Sequence, residues 1–238
     1  MSFLMRRGVI SSAVSGAVTF SANTANLDGL ADLITIPQPQ ILDESFSFSF
    51  DLVVDTIGSL QHALISNGAG VELDIRADGR LQFYLYTGAV FTSVASVVTL
   101  TSGEHHQICI QFSTTTGGEL IVDGVSANNA SMTTHIAFNS LSLGGRAALD
   151  LQFQGSVSNF SHYTAVRSLA QINALHNNGN TLCYELQDKT NLLGSWPLAN
   201  WNGQAIGSEL IDKHGTTNAT TTGNVTYTDQ GVTVSCTP

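Results

Sequence analysis

The chain has 238 residues and a formal charge of −10, from eight Lys and Arg against eighteen Asp and Glu. A phosphate-binding face needs clustered cations to release counterions; the only basic run is Arg6–Arg7, which argues against a nucleic-acid partner. Charged residues make up only 11% while mean hydropathy is slightly positive, so Ser, Thr, Asn, Gln and Gly must carry the polar surface. Such a surface suits a protein packed against partners.

The opening "MSFLMRRGVISSAVSGAVTF" imitates a secretory signal, but Ser and Gly dilute its apolar stretch. A signal needs about 7–15 solidly apolar residues, so an unprocessed start is expected. No segment approaches the ~20 apolar residues that span a bilayer. Cys109, Cys183 and Cys236 are odd in number and widely spaced, which favours free thiols over a disulfide framework. Cys109, inside "HQICIQF", reads as a buried small hydrophobe.

Period-two alternation dominates the chain from there on. "SFSFSFDLVV" (45–54) places Phe46, Phe48 and Phe50 on one face and the serines on the other. "VELDIRADGRLQFYLY" (71–86) reads as two strands joined by Ala77-Asp78-Gly79. Strands follow at 96–100, 106–112 and 118–124, the last closing on Asp123-Gly124, and again at 138–145 and 149–163. "SLAQINALHNNG" (168–179) breaks the rhythm, with Leu169, Ile172 and Leu175 at helical spacing, Ser168 as N-cap and Gly179 as stop. The expected element is a short surface helix near 168–178 whose apolar stripe seals one end of the molecule. Many short strands separated by Gly, Asn and Asp predict an all-β antiparallel sandwich or barrel. Residues 180–238 are polar and hold both tryptophans; with no Pro- or Gly-rich linker before them, they are assigned to the same single domain, 1–238.

The order of these elements resembles a laminin-G-like jelly roll of the concanavalin A-like lectin and glucanase superfamily. "GAVTFSANTANLDGLADLITIPQPQILDESFSFSFDLVV" is similar to its opening strands, "ELIVDGVSA" and "LSLGG" to later ones, and "FQGSVSNFSHYTAVRSLAQINALHNNG" to its closing strand and helix. The resemblance covers about residues 16–179 and implies two facing sheets, one concave, with ligand sites on that face or in rim loops. It implies no particular activity. "LLGSWPLANWNGQAIGSELIDKHGTTNATTTG" looks like a segment that usually precedes the first strand; coming last here, it suggests a permuted tail strand, or one donated to a neighbouring protomer.

The family's glucanases carry a Glu-x-Asp-x-Glu strand motif. "VELDIRA" offers Glu72 and Asp74 but sets Arg76 where the last Glu belongs, so the acid/base carboxyl of a retaining enzyme is missing. On a strand the three share one face at about 6.5 Å intervals, and a solvent-facing row of ions is expected. No catalytic residue is assigned. "NLDGLAD" places Asp28 and Asp32 in a loop where relatives sometimes hold calcium, although turn-forming Asx residues explain them as well. Trp196 in "SWPL" reads as core, and Trp201 in "ANWNGQ" as the candidate ligand contact. His105 and His106 point to opposite faces of a strand and cannot readily chelate a metal together.

Function is therefore expected to be structural and non-enzymatic: a lectin-like virion protein, resembling bacteriophage fibre, collar or decoration components. Such a protein folds in the host cytoplasm, packs with itself and other virion proteins through uncharged faces, and meets host glycans weakly but multivalently. A glucanase-type hydrolase and a calcium-dependent extracellular lectin are the competing classes.

Overall fold

The computed structural model describes residues 18–41, 45–67, 70–145, 151–176, 181–182, 188–200, 212–215, 217–223 and 225–236. Among them two sheets face each other. The first runs β10 (Val125–Asn129), β9 (Gly117–Val122), β8 (His105–Ser113), β3 (Phe46–Val54), β12 (Gln154–Tyr163), β1 (Val18–Asp28), β17 (Thr226–Cys236) and β13 (Thr181–Leu182). On it β14 (Leu192–Trp196) pairs with β12, and β15 (Ala199–Asn200) with β1. The second runs β16 (Thr220–Thr222), β2 (Leu33–Ile41), β11 (Phe138–Leu143), β4 (Gln61–Ser66), β5 (Val71–Ile75), β6 (Arg80–Tyr86) and β7 (Phe91–Thr99). Among the described residues pairing is antiparallel, apart from the short parallel contact of β13 with β17 and an isolated parallel bridge between His62 and Gln152. The strand pattern leaves a sandwich or a barrel open; the fold observed is the all-β two-sheet jelly-roll sandwich that the family resemblance implies.

Alternation builds the core. Phe46, Phe48 and Phe50 all point between the sheets, where the Phe48 ring lies 4.8 Å from Phe46 and 5.6 Å from Phe160. Leu73, Ile75, Leu81, Phe83 and Leu85 meet them from the second sheet. Ser47, Ser49 and Asp51 face the other way, yet they too are buried: Ser47 donates to the Ala165 carbonyl at 2.8 Å, and Asp51 accepts from the Asn159 side chain at 2.8 Å beside His105. The Asp123-Gly124 turn has φ of 50° and 76°, the double left-handed geometry that matches the twist of a two-residue hairpin. It joins β9 to β10, a polar strand ("VSANN") with little apolar signal of its own.

The helix α1 (Leu169–His176) starts where its cap predicts. The Ser168 hydroxyl accepts from the Gln171 N–H at 3.3 Å while the Gln171 side chain accepts from the Ser168 N–H at 3.0 Å, a reciprocal capping pair. Ser168→Ala is expected to cost about 1 kcal/mol in urea unfolding; no measurable change would mean that packing alone holds the helix. Its placement corrects the expectation of an end seal. Ile172 packs on Cys109 and Ile121, and Leu175 on Tyr163 and Leu192, so α1 lies on the outer face of the first sheet. Leu169 stays 43% exposed, because a single turn-to-turn stripe cannot reach past the two residues that touch the sheet. The expected stop at Gly179 lies outside the described residues.

Arg167, just before the helix, is buried with its guanidinium 4.3 Å from the centre of the Tyr163 ring. It donates to Thr190 O and Asp188 Oδ2 and so ties the tail to the sheet. In the tail, β17 runs along β1 with register from Val18–Cys236 to Asn26–Thr226, within the same chain. Trp196 is a core residue as read, its indole N–H donating to Thr217 O at 2.8 Å. Among the described residues no helix is long and apolar enough to cross a membrane.

Candidate functional site

The second sheet carries its candidate site on the face turned away from the core. Because Val71, Leu73 and Ile75 point inward, Glu72 and Asp74 must point outward. On the neighbouring strand the register slips between His62 and Leu64, pairing Leu64 with Leu73 but His62 with Asp74. Regular pairing would have set Ala63 opposite Asp74 and turned His62 toward Ile75. The bulge re-aims His62 onto the outer face, beside the two carboxylates.

The result is a compact trio. His62 Nδ1 lies 2.6 Å from Asp74 Oδ1 and 2.8 Å from Glu72 Oε1. All three residues are at most 5% exposed, which overturns the expected solvent-facing ion row. Residues far along the chain flank the trio: the His62 backbone N–H donates to Leu151 O at 2.8 Å, Gln152 pairs with His62 as an isolated parallel bridge, and Leu151 lines the cleft. Burial opposes protonation of His62, but hydrogen bonds to Asp74 and Glu72 outweigh it and raise its pKa to about 9. Burial also raises the Asp74 carboxyl above its usual range, with the His62 contact pulling back. Among the described residues this is the one group of three or more His, Cys, Asp or Glu side chains whose ligand atoms lie together, all within 4.8 Å of one another.

Above the trio opens a cleft of about 320 Å³, lined by Leu60, His62, Glu72, Asp74, Tyr84, Phe91 and Leu151. Phe91, at the start of the edge strand β7, is 52% exposed, stacks on Tyr86 at 4.6 Å and meets Tyr84 edge-on at 6.2 Å. A wall of aromatic rings beside carboxylates offers both contacts a sugar presents: an apolar ring face and hydroxyl donors. Arg76, third in the strand row, is exposed and donates to Gln82 Oε1 at 2.6 Å and to the Tyr84 hydroxyl at 3.3 Å, fixing the lip of the same wall.

The other sequence candidates fall elsewhere. Asp28 and Asp32 are occupied with turn geometry: Asp32 Oδ2 accepts from the Asp28 N–H at 3.0 Å and Asp28 Oδ1 from the Leu30 N–H at 2.8 Å. They belong to no group of three potential ligands among the described residues. Trp201 and Cys183 lie outside the described residues, as does the side chain of Cys236. Cys109 is buried, and burial pushes its thiol far above its usual pKa, leaving it inert. His105 and His106 reach different carboxylates, Asp51 and Asp123, as their opposite facing requires. Sequence reading named Glu72 and Asp74 but took them for a solvent-facing row, and it did not reach His62, for which the ten-residue separation gives no signal.

Residues 28–173 match the model of the concanavalin A-like lectin/glucanases superfamily. The chain belongs to that superfamily. No curated protein matches it. Among solved structures, a candidate carbohydrate-binding protein from Bacteroides ovatus superposes with a TM-score of 0.64 at 17% identity, over 90% of this chain and 62% of that one. The heptameric SAP-like pentraxin of Limulus polyphemus gives 0.52 at 12% identity, over 65% and 82%. The ligand-binding domain of botulinum neurotoxin serotype D, solved with N-acetylneuraminic acid, gives 0.50 at 14%, over 69% and 47%. These likenesses are of fold. Within the superfamily the chain carries a lectin-like jelly roll, and its cleft lies on an open sheet face.

Proposed function

We propose that this chain is a non-enzymatic recognition module that binds a glycan in the cleft of the second sheet and serves as a structural component of a virion. The observation that carries the binding reading is the pairing of exposed Phe91 with the buried carboxylates of Glu72 and Asp74 in one cleft. The Bacteroides ovatus and neurotoxin structures lend support, since both are described by what they bind. The non-enzymatic part rests on Arg76, a cation where the glucanase motif has its third carboxyl. The virion part rests on composition, with eight Lys and Arg in 238 residues and a surface of Ser, Thr and Asn suited to packing against like copies.

Glycan-array screening followed by calorimetry on the best ligand tests the site. Phe91→Ala is expected to weaken that ligand about tenfold, or ~1.4 kcal/mol, while an exposed ring can be removed with little effect on folding. Unchanged affinity in the variant would move the site elsewhere, and release of new reducing ends from the ligand would overturn the non-enzymatic reading. Light scattering during size-exclusion chromatography tests assembly: a 25.1 kDa monomer would count against a role as a packed particle component.

A further inference from the structure

We propose that a second pocket, on the outer face of the first sheet, receives a lysine side chain presented by a partner polypeptide. The pocket has a volume of about 480 Å³ and lies between the β9–β10 hairpin and the chain around the start of α1. Strand register sets its floor. Gln111 on β8 pairs with Glu119 on β9, and Glu119 pairs with Asn128 on β10, so the three side chains stand in one row across adjacent strands. Their neighbours Ile110, Phe112 and Leu120 enter the core, which turns the row outward.

The row holds a fixed negative charge. Gln111 is buried, its Oε1 accepting from the Ser47 hydroxyl at 3.0 Å and the Arg167 N–H at 2.8 Å, its Nε2 donating to Glu119 Oε2 and Arg167 O. Glu119 Oε1 accepts from the Ser126 hydroxyl. Both donors to the carboxylate are neutral, so they orient it without cancelling its charge. Arg167 also lines the pocket, but its guanidinium is committed to Asp188 Oδ2 at 2.8 Å, Thr190 O at 2.9 Å and the Tyr163 ring. In a chain of net charge −10, a half-buried carboxylate facing a pocket attracts a cation.

The arrangement selects the kind of cation. Each Glu119 oxygen already has one partner, so the planar fork of a guanidinium, which takes both oxygens together, fits less well than a compact ammonium that takes one. The side-chain carbonyl of Asn128 stands beside it, the Nδ2 of that amide being turned to Thr116 O at 3.2 Å. Val166 and Leu169, 41% and 43% exposed, border the pocket and give an aliphatic stem an apolar track. Arg167 Nε is buried without a hydrogen-bond acceptor, and a polypeptide brings backbone carbonyls along with its ammonium, which a simple amine does not. The pocket lies on the opposite sheet from the Phe91 cleft, so the inference does not depend on the glycan reading.

The test titrates the purified, isotopically labelled full chain with an acetylated and amidated Gly-Lys-Gly tripeptide at low salt, followed by nuclear magnetic resonance. Amide shifts at Gln111, Glu119 and Asn128 are expected to saturate with a Kd of about 1 mM or tighter. The same peptide with norleucine in place of lysine, which keeps the stem and loses the charge, binds about tenfold more weakly or worse. The arginine peptide and butylammonium alone are both weaker than the lysine peptide. Glu119→Gln weakens the lysine peptide by about tenfold or more. Asn128→Lys, at an exposed position of β10, fills the pocket with an ammonium of the chain's own and abolishes binding. That variant decides the matter should circular dichroism show that Glu119→Gln does not fold. Asp78→Asn, which removes one negative charge from the exposed hairpin turn of the other sheet, leaves binding unchanged. Equal binding of the norleucine peptide, shifts that saturate elsewhere on the chain, or no saturation overturns the proposal. Equal binding of butylammonium overturns the polypeptide as its source, and equal binding of the arginine peptide overturns the choice of lysine.

Discussion

Phe48→Ala is expected to lower the unfolding free energy by about 3–5 kcal/mol, the largest effect of any single substitution considered. Phe48 is fully buried on β3, with Phe46, Phe138, Phe160 and His162 all within 6.3 Å between ring centres. Truncation removes the transfer free energy of the ring and leaves a cavity that paired strands on either side cannot close, because moving β3 would break its ladders to β8 and β12 together. Urea denaturation followed by tryptophan fluorescence measures this as a lower midpoint at unchanged slope. A loss below about 1 kcal/mol would mean that the aromatic cluster repacks freely and is not the mechanical centre of the sandwich.

The second large effect is a pH dependence centred on His162. Its ring is 1% exposed and 4.7 Å from Phe48, and burial pushes its pKa down to about 3. The native chain therefore holds this imidazole neutral, whereas the unfolded chain protonates it near pH 6.5. Below that pH the unfolded state binds the extra proton, so the stability His162 contributes is complete above about pH 6.5 and is lost as pH falls toward 3. Between pH 7 and pH 4 the loss is on the order of 3 kcal/mol. Comparing the unaltered chain with His162→Leu at both pH values isolates it: the variant should lose that much less on acidification, and parallel losses would show that His162 is solvated in the native state.

Much of the architecture was legible along the chain because it depends on neighbours in sequence. "SFSFSFDLVV" alternates so strictly that only one face can be apolar, and Asp123-Gly124 and Asp78-Gly79 are turns that few other dipeptides could make. Ser168 announced the helix, and Trp196 behaved as the large apolar ring its setting required. β10 went unread because its residues are polar and owe their strand form to pairing with β9. β4 was also missed, since "QHALIS" is short and its alternation is broken by the bulge at His62.

The sequence by itself determined an acidic, cation-poor, all-β chain with a Phe-lined core, and it placed Glu72 and Asp74 on one face of one strand. Only the tertiary structure decided what that face is. A slip of one residue in the β4–β5 register turned His62 toward the two acids, and residues 151 and 152, nearly ninety positions beyond His62, pair beside it and set Leu151 against the cleft. Side-chain alternation is a local property of a strand, but burial on its outer face is set by whichever distant segment happens to cross it. That is why the same three letters, Glu-Leu-Asp, could be read as an exposed row of ions and yet form the enclosed floor of a cleft.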